Sequence, residues 1–368
     1  MLTKVVRRLI HTSATASILF VLASCGTNNP ARSHSAGYGS AFVFMTDYMS
    51  AAVGVFRPDS NSVDVLPLAG VHTDVALRSY GGLVYVLERF GKDAITVIDP
   101  ALPTAPTANY STGNGSNPQD IIVADAHRAY VLRLNTSNVL IINPQTGDSL
   151  GTIDLASYAD PADGRPEMAA GVLESGTLYV LLQLLDTASN PWLWPPTGFG
   201  KVVAIDTRTN AVTNAFTLTV KNPVAMAVHN GTLFVAGGPY DDISATGIDR
   251  VPLPGGTPTR LVDGASLGGR PTALEVCDQN NSAWVLVQKT WPTATVYRVS
   301  LTTGVTADSL AEPATPAAIA VGMDSVLLVS DRSMSVPGLF VYNAITGEKR
   351  RGPIATALPP DAIVFVKD

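Results

Sequence analysis

The sequence predicts an all-β fold: a seven-bladed β-propeller of four-stranded antiparallel blades, the last blade closed by N- and C-terminal strands. Three observations predict it. The 368 residues are 46% hydrophobic and only 15% charged, with 31 glycines and 26 prolines, a composition that suits many short strands and turns better than helices. One apolar run recurs at intervals of 45, 48, 57, 48, 45 and 44 residues. The two ends of that pattern carry complementary fragments of a single repeat.

The recurring run opens each unit. It reads "TDVAL" at 73–77, "PQDIIV" at 118–123, "PEMAAGV" at 166–172, "PVAMAV" at 223–228, "PTALEV" at 271–276, "PAAIAV" at 316–321 and "PDAIVFV" at 360–366. A small polar turn follows the first six copies, then a second run such as "LVYVLE", "AYVLRL" or "TLFVAGG". A third run ("ITVIDP", "VLIINP", "VVAIDT", "LFVYNA") leads into a tight Asp/Asn/Thr/Gly turn and a weaker fourth run. Those turn residues supply side-chain caps and positive φ for the reversal. A four-stranded sheet of this size cannot bury both faces alone; several packed face to face around an axis can.

The seventh copy has only its first run before the sequence stops. "AFVFMTD" at 41–47 reads as a second strand without a first, followed by "AVGVFRP" and "SVDVLPL". Together the fragments make one blade, and pairing them removes an open edge.

"NPVAMAVHNGTLFV" and "AYVLRLNTSNVLIINPQTGDSLGTIDL" resemble the YVTN-type propeller repeat and its NHL-like and lactonase-like seven-bladed relatives. The resemblance covers 41–368. The literal Tyr-Val-Thr-Asn is absent, and "VYVLE" and "AYVLR" keep only the aromatic–valine part. It implies a fold more than a function, since such propellers include binding scaffolds, surface proteins and some enzymes.

Residues 1–24 read as a targeting segment. Lys4, Arg7 and Arg8 precede the apolar "ATASILFVLA", which ends in "LASC". This resembles a bacterial lipoprotein signal, which implies cleavage before Cys25 and acylation of that cysteine. Acyl chains at ~0.8 kcal/mol per buried CH₂ anchor a protein without a spanning helix. Gly26 in place of Asp implies the outer membrane by the same resemblance. Residues 25–40 comprise this lipidated cysteine and a small, polar, flexible tether. The expected location is the bacterial cell envelope, with the membrane a partner through the lipid.

Without the leader the chain carries 21 Lys+Arg against 30 Asp+Glu, a formal −9. No basic block is present, so no nucleic-acid partner is expected. Cys277, in "TALEVC", reads as a buried thiol.

In a propeller the loops entering the inner strand and those joining strands two and three share one face. Here the second set varies in length and holds the unusual residues. The longest, "LLDTASNPWLWPPTGFGK", accounts for the 57-residue interval. Trp192, Trp194 and Phe199 are expected on one face with Phe90, Tyr240 and Trp291, as a partner-binding surface. The alternative is a loop folded back on its own blade, since each tryptophan buries ~150–250 Å². Arg165 and Arg270, each in a Gly-Arg-Pro before an inner strand, are expected near the channel mouth. There they recognise an anion with a planar donor fork, or else are solvated or locally paired. Asp241 and Asp242 are either a cation site or a solvated turn.

Histidines are scattered, and no Gly-x-Ser-x-Gly, Walker or zinc-type spacing is evident. No cofactor, metal or catalytic residue is therefore assigned. The expected function is a binding scaffold that takes a protein, peptide or glycan on its loop-rich face. The alternative is a lactonase-like hydrolase at the channel mouth using Asp74, Asp120 or Glu167, with or without a divalent metal.

Overall fold

A computed structural model describes residues 39–57, 59–102, 104–189 and 194–366. Cys25 and Trp192 lie outside the described residues, as do the leader and most of the tether.

The described strands form seven four-stranded antiparallel sheets. The innermost strands are Val75–Tyr80, Pro118–Asp125, Met168–Glu174, Pro223–His229, Arg270–Cys277, Pro316–Gly322 and Pro360–Phe365, defining blades one to seven. Each packs against the next, and the seventh returns to the first. The seventh blade is the expected composite: Pro360–Phe365 pairs with Ala41–Thr46 in the register Ile363↔Val43 and Val364↔Phe42. Ser79 Oγ donates to the Phe365 carbonyl at 2.6 Å, stitching the closing strand to blade one.

The second and third strands read as apolar runs because each sheet is sandwiched between two others, which removes the need for alternation. Ala41–Thr46 is buried along its whole length. Core residues gather in seven clusters, one at each seam between neighbouring blades. In one seam Tyr130, Leu132, Val139 and Ile141 of blade two meet Leu178, Val180 and Val203 of blade three. In another, Trp284 of blade five is fully buried against Leu327 and Phe340 of blade six. Its indole N–H donates to the Ala344 carbonyl at 2.8 Å, satisfying its one polar atom. Cys277 is likewise wholly buried, and burial pushes its thiol pKa up.

The inner strands carry a feature that the repeat pattern did not reveal. In six blades the pairing of the inner strand slips near its first residues, five of them at or beside the repeat's proline. Proline has no N–H to give the ladder, so a bulge there costs little.

Candidate ligand-binding face

The mouth is built from the residues that flank each inner strand and follow each second strand. A cavity of about 380 Å³ opens there, lined by side chains of five consecutive blades. Blade one gives Asp74, Arg89 and Phe90; blade two gives Asn117, Gln119 and Leu134; blade three gives Gln183, Leu185 and Trp194. Asn222 and Tyr240 of blade four and Arg270 of blade five complete it.

Hydrogen bonds hold most of these polar groups in place. Arg89 Nε donates to Asp74 Oδ1 at 2.9 Å, and its Nη1 to Gln119 Oε1 at 3.1 Å. Gln119 Nε2 passes the chain on to Asn117 Oδ1 at 2.8 Å. Gln183 Nε2 donates to Asn222 Oδ1 at 2.7 Å. Asn117 and Asn222 hold φ of 53° and 42° before their prolines, a left-handed conformation that asparagine tolerates better than most residues.

Arg270 is held differently. Its guanidinium carbon lies 4.3 Å from the centroid of the Tyr240 ring, a contact worth ~0.5–1 kcal/mol when exposed. Its Nε is buried and has no acceptor among the described residues. No ion pair or hydrogen bond joins Arg270 to any carboxylate described. Tyr240 and Phe90 stand exposed at the rim, 77% and 66% respectively.

Beneath the mouth, Arg78 on the first inner strand ties three blades together. Its Nε and Nη2 donate to the two Asp120 oxygens at 2.5 Å each, and Nη2 also to the Gly171 carbonyl at 3.3 Å. Asp120 in turn accepts from the Gly171 N–H at 2.8 Å. The Asp120 charge lifts the Arg78 pKa further above its ordinary value. Gly171 packs tightly here: a Cβ would lie 2.4 Å from Ile122 Cδ1, so that side chain would have to move.

A second cavity of about 420 Å³ lies on the same face across blades five, six and seven. Tyr48, Trp291, Arg332, Met334 and Asp361 line it. The Arg332 guanidinium lies 4.5 Å from the Trp291 ring centroid, donates to the Tyr48 hydroxyl at 3.0 Å and pairs with Asp361. Trp291 is 60% exposed.

The structure thus brings Phe90, Trp194, Tyr240 and Arg270 to one cavity and Trp291 to another on the same face. Phe199 begins the third strand of blade three, half exposed, with Lys221 Nζ 5.7 Å from its ring centroid. Arg165 lines neither cavity; its Nη1 donates to Thr187 Oγ1 at 3.3 Å. The long loop closes at its base like a hairpin, with Asp186 N donating to Pro195 O and Thr197 N to Leu184 O, both at 2.9 Å. Asp242 caps a short 3-10 turn through the N–H groups of Ser244 and Ala245. The Ser244 hydroxyl and those N–H groups, with Lys221, hold its pKa below the usual carboxylate range.

Glu167 has no exposed surface. Its Oε2 accepts from Leu185 N at 2.9 Å, and its Oε1 has no partner. Burial pushes its pKa up to about 9. Asn117, Gln119, Gln183, Asn222 and Arg89 are site residues that sequence reading missed. The available signal was "NP" at 117–118 and 222–223, in the position where "RP" stands at 270–271.

No family model and no curated protein matches the chain. Solved structures do match. A putative 6-phosphogluconolactonase from Bacteroides fragilis NCTC 9343 aligns with a TM-score of 0.63 at 14% identity, covering 91% of this chain and 99% of that one. The dihydro-heme d1 dehydrogenase NirN aligns at 0.58 with 16% identity, covering 89% and 75%. A streptogramin B lyase aligns at 0.56 with 17% identity, covering 80% and 89%. At these identities the likeness concerns the propeller fold.

Proposed function

We propose that this chain is a non-enzymatic binding propeller with YVTN-type repeats, lipid-anchored through Cys25 on the bacterial cell envelope. Its loop-rich face captures a protein, peptide or glycan partner that presents a carboxylate or another anion. One observation carries the reading: Arg270 stands in the mouth cavity with no acid partner, stacked on an exposed tyrosine. An unpaired planar donor fork beside an aromatic plate suits a bidentate anion held against an apolar group. The amides of Gln119, Asn117, Gln183 and Asn222 add fixed donors and acceptors around it, and Trp194 and Phe90 add apolar rim.

The carboxylates named for a hydrolytic reading are engaged elsewhere. Asp74 is paired with Arg89 and Asp120 with Arg78, and Glu167 is sealed beneath Leu185. Dehydrogenase, lactonase and lyase names among the structural neighbours span several chemistries on one scaffold, so they favour none for this chain.

The test is partner capture by crosslinking from native membranes, with Arg270→Gln and Trp194→Ala variants. Both variants are expected to lose capture while the melting temperature stays within a few degrees. Capture that persists in both overturns the reading, as does turnover of lactones or esters by the purified protein.

A further inference from the structure

The segment "DPADGRPE", residues 160–167, leads into the inner strand of blade three. It places Asp160, Asp163 and Glu167 so that one carboxylate oxygen from each lies within 4.8 Å of the others. Acidic clusters on surfaces are common, but two of these three acids are buried and Asp163 is partly so. Asp160 is 6% exposed and Glu167 not at all. Asp160 Oδ2 and Glu167 Oε1 are buried and have no hydrogen-bond partner. Among the described residues no ion pair joins any of the three acids to a lysine or arginine. The nearest basic side chain in sequence, Arg165, acts on Glu167 electrostatically but forms no ion pair with it, and its Nη1 donates to Thr187 Oγ1.

Two buried carboxylate oxygens beside a third acid thus stand without a partner. A hard cation supplies one. The donor set is oxygen only, which excludes the softer, nitrogen- and sulfur-seeking metals. Ligation by several protein carboxylates suits calcium, which takes about six to eight oxygens in a flexible geometry, better than magnesium, which demands a near-ideal octahedron and keeps several of its waters.

We propose that Asp160, Asp163 and Glu167 bind one calcium ion, and that this ion fastens the base of the Trp194 loop to the inner strand of blade three. The fastening follows from what the same acids already hold. Glu167 Oε2 accepts from Leu185 N, and Asp163 Oδ2 accepts from the N–H of Thr187 at 3.3 Å and from its hydroxyl. Leu185 and Trp194, at either end of that loop, line the mouth cavity. The ion therefore sets the position of one cavity wall without touching the ligand. The inference stands apart from the identity of the partner and from whether the face binds one.

The test uses the full chain stripped with a chelator, titrated calorimetrically with calcium and melted with calcium, magnesium or chelator. One calcium per chain is expected, with a melting temperature a few degrees higher in millimolar calcium than in chelator. Magnesium at equal concentration is expected to give a smaller shift. Glu167→Gln and Asp160→Asn should each weaken calcium binding at least about tenfold and abolish the shift. Glu167→Gln keeps the side-chain shape and introduces no charge, so it should fold, and its melting temperature in chelator should stay within a few degrees of the parent's. Equal melting in calcium and chelator overturns the proposal, as does calcium binding that survives in both variants. A response to magnesium as large as that to calcium overturns the choice of ion.

Discussion

Arg78 and Asp120 form a bidentate pair inside the channel that also engages both backbone groups of Gly171, so one arginine and one aspartate join the inner strands of three blades. Asp120 is nearly buried, while Arg78 retains access to water along the bore. Asp120→Ala would leave the Gly171 N–H and the guanidinium without their acceptor. Full burial of such a pair makes its rupture cost ~3–5 kcal/mol; the access of Arg78 to solvent lowers the expected loss to about 2–3 kcal/mol. The urea midpoint of the variant measures it, and an unchanged midpoint would mean that the tie contributes nothing.

The tryptophans of blade five offer a comparison within one sheet. Trp284 is sealed in a seam with its indole N–H satisfied, whereas Trp291 stands at the rim. Trp284→Ala is expected to destabilise by ~3–5 kcal/mol. Trp291→Ala should cost under about 1 kcal/mol, because a half-exposed ring loses little burial. Equilibrium unfolding of the two variants side by side decides it; comparable losses would show that the rim tryptophan is structural.

The closing strand bears on solubility. Deleting residues 360–368 would strip the partner from Ala41–Thr46, a buried apolar strand with a full set of backbone donors and acceptors. Open edges of that kind pair with other chains. The truncated protein is expected to elute as oligomers or precipitate, and to lose the sharp melting transition. A monomeric truncation with unchanged melting would show that the ring needs no clasp.

At the mouth, Arg89 and Arg270 should behave differently on substitution. Arg89 is held by Asp74 and Gln119, so Arg89→Gln breaks a network and is expected to lower stability by about 1 kcal/mol. Arg270→Gln breaks no hydrogen bond and loses only the stacking on Tyr240, so its cost in stability should stay below about 1 kcal/mol. If an anionic partner docks there, its affinity should fall roughly 10- to 100-fold, as for one lost charge-assisted hydrogen-bond pair. Calorimetry with a carboxylate-bearing ligand from a binding screen would show it.

The blade repeat was legible because its period follows from the need to bury both faces of each sheet, and the half-blades at 41–65 and 360–366 fixed the closure. The face was legible too: Phe90, Trp194, Tyr240 and Arg270 fell where loop order places them. The polar belt was not. Asn117 and Asn222 look like ordinary turn residues in sequence, and their place in the cavity lining shows only in the folded chain. Asp160 and Asp163 were hidden for another reason. In "DPADGRPE" the arginine draws attention as a free donor, while the burial that gives the acids their meaning depends on Leu185, eighteen residues beyond Glu167.

The strand beginning at Ala41 runs toward the cavities, since its far end, Thr46, lines the second of them. Ser40, whose carbonyl accepts from Val366 N, therefore lies on the opposite side of the ring. A surface linker joined at Ser40 would thus leave both hollows clear, which makes that residue the natural point of immobilisation for binding measurements.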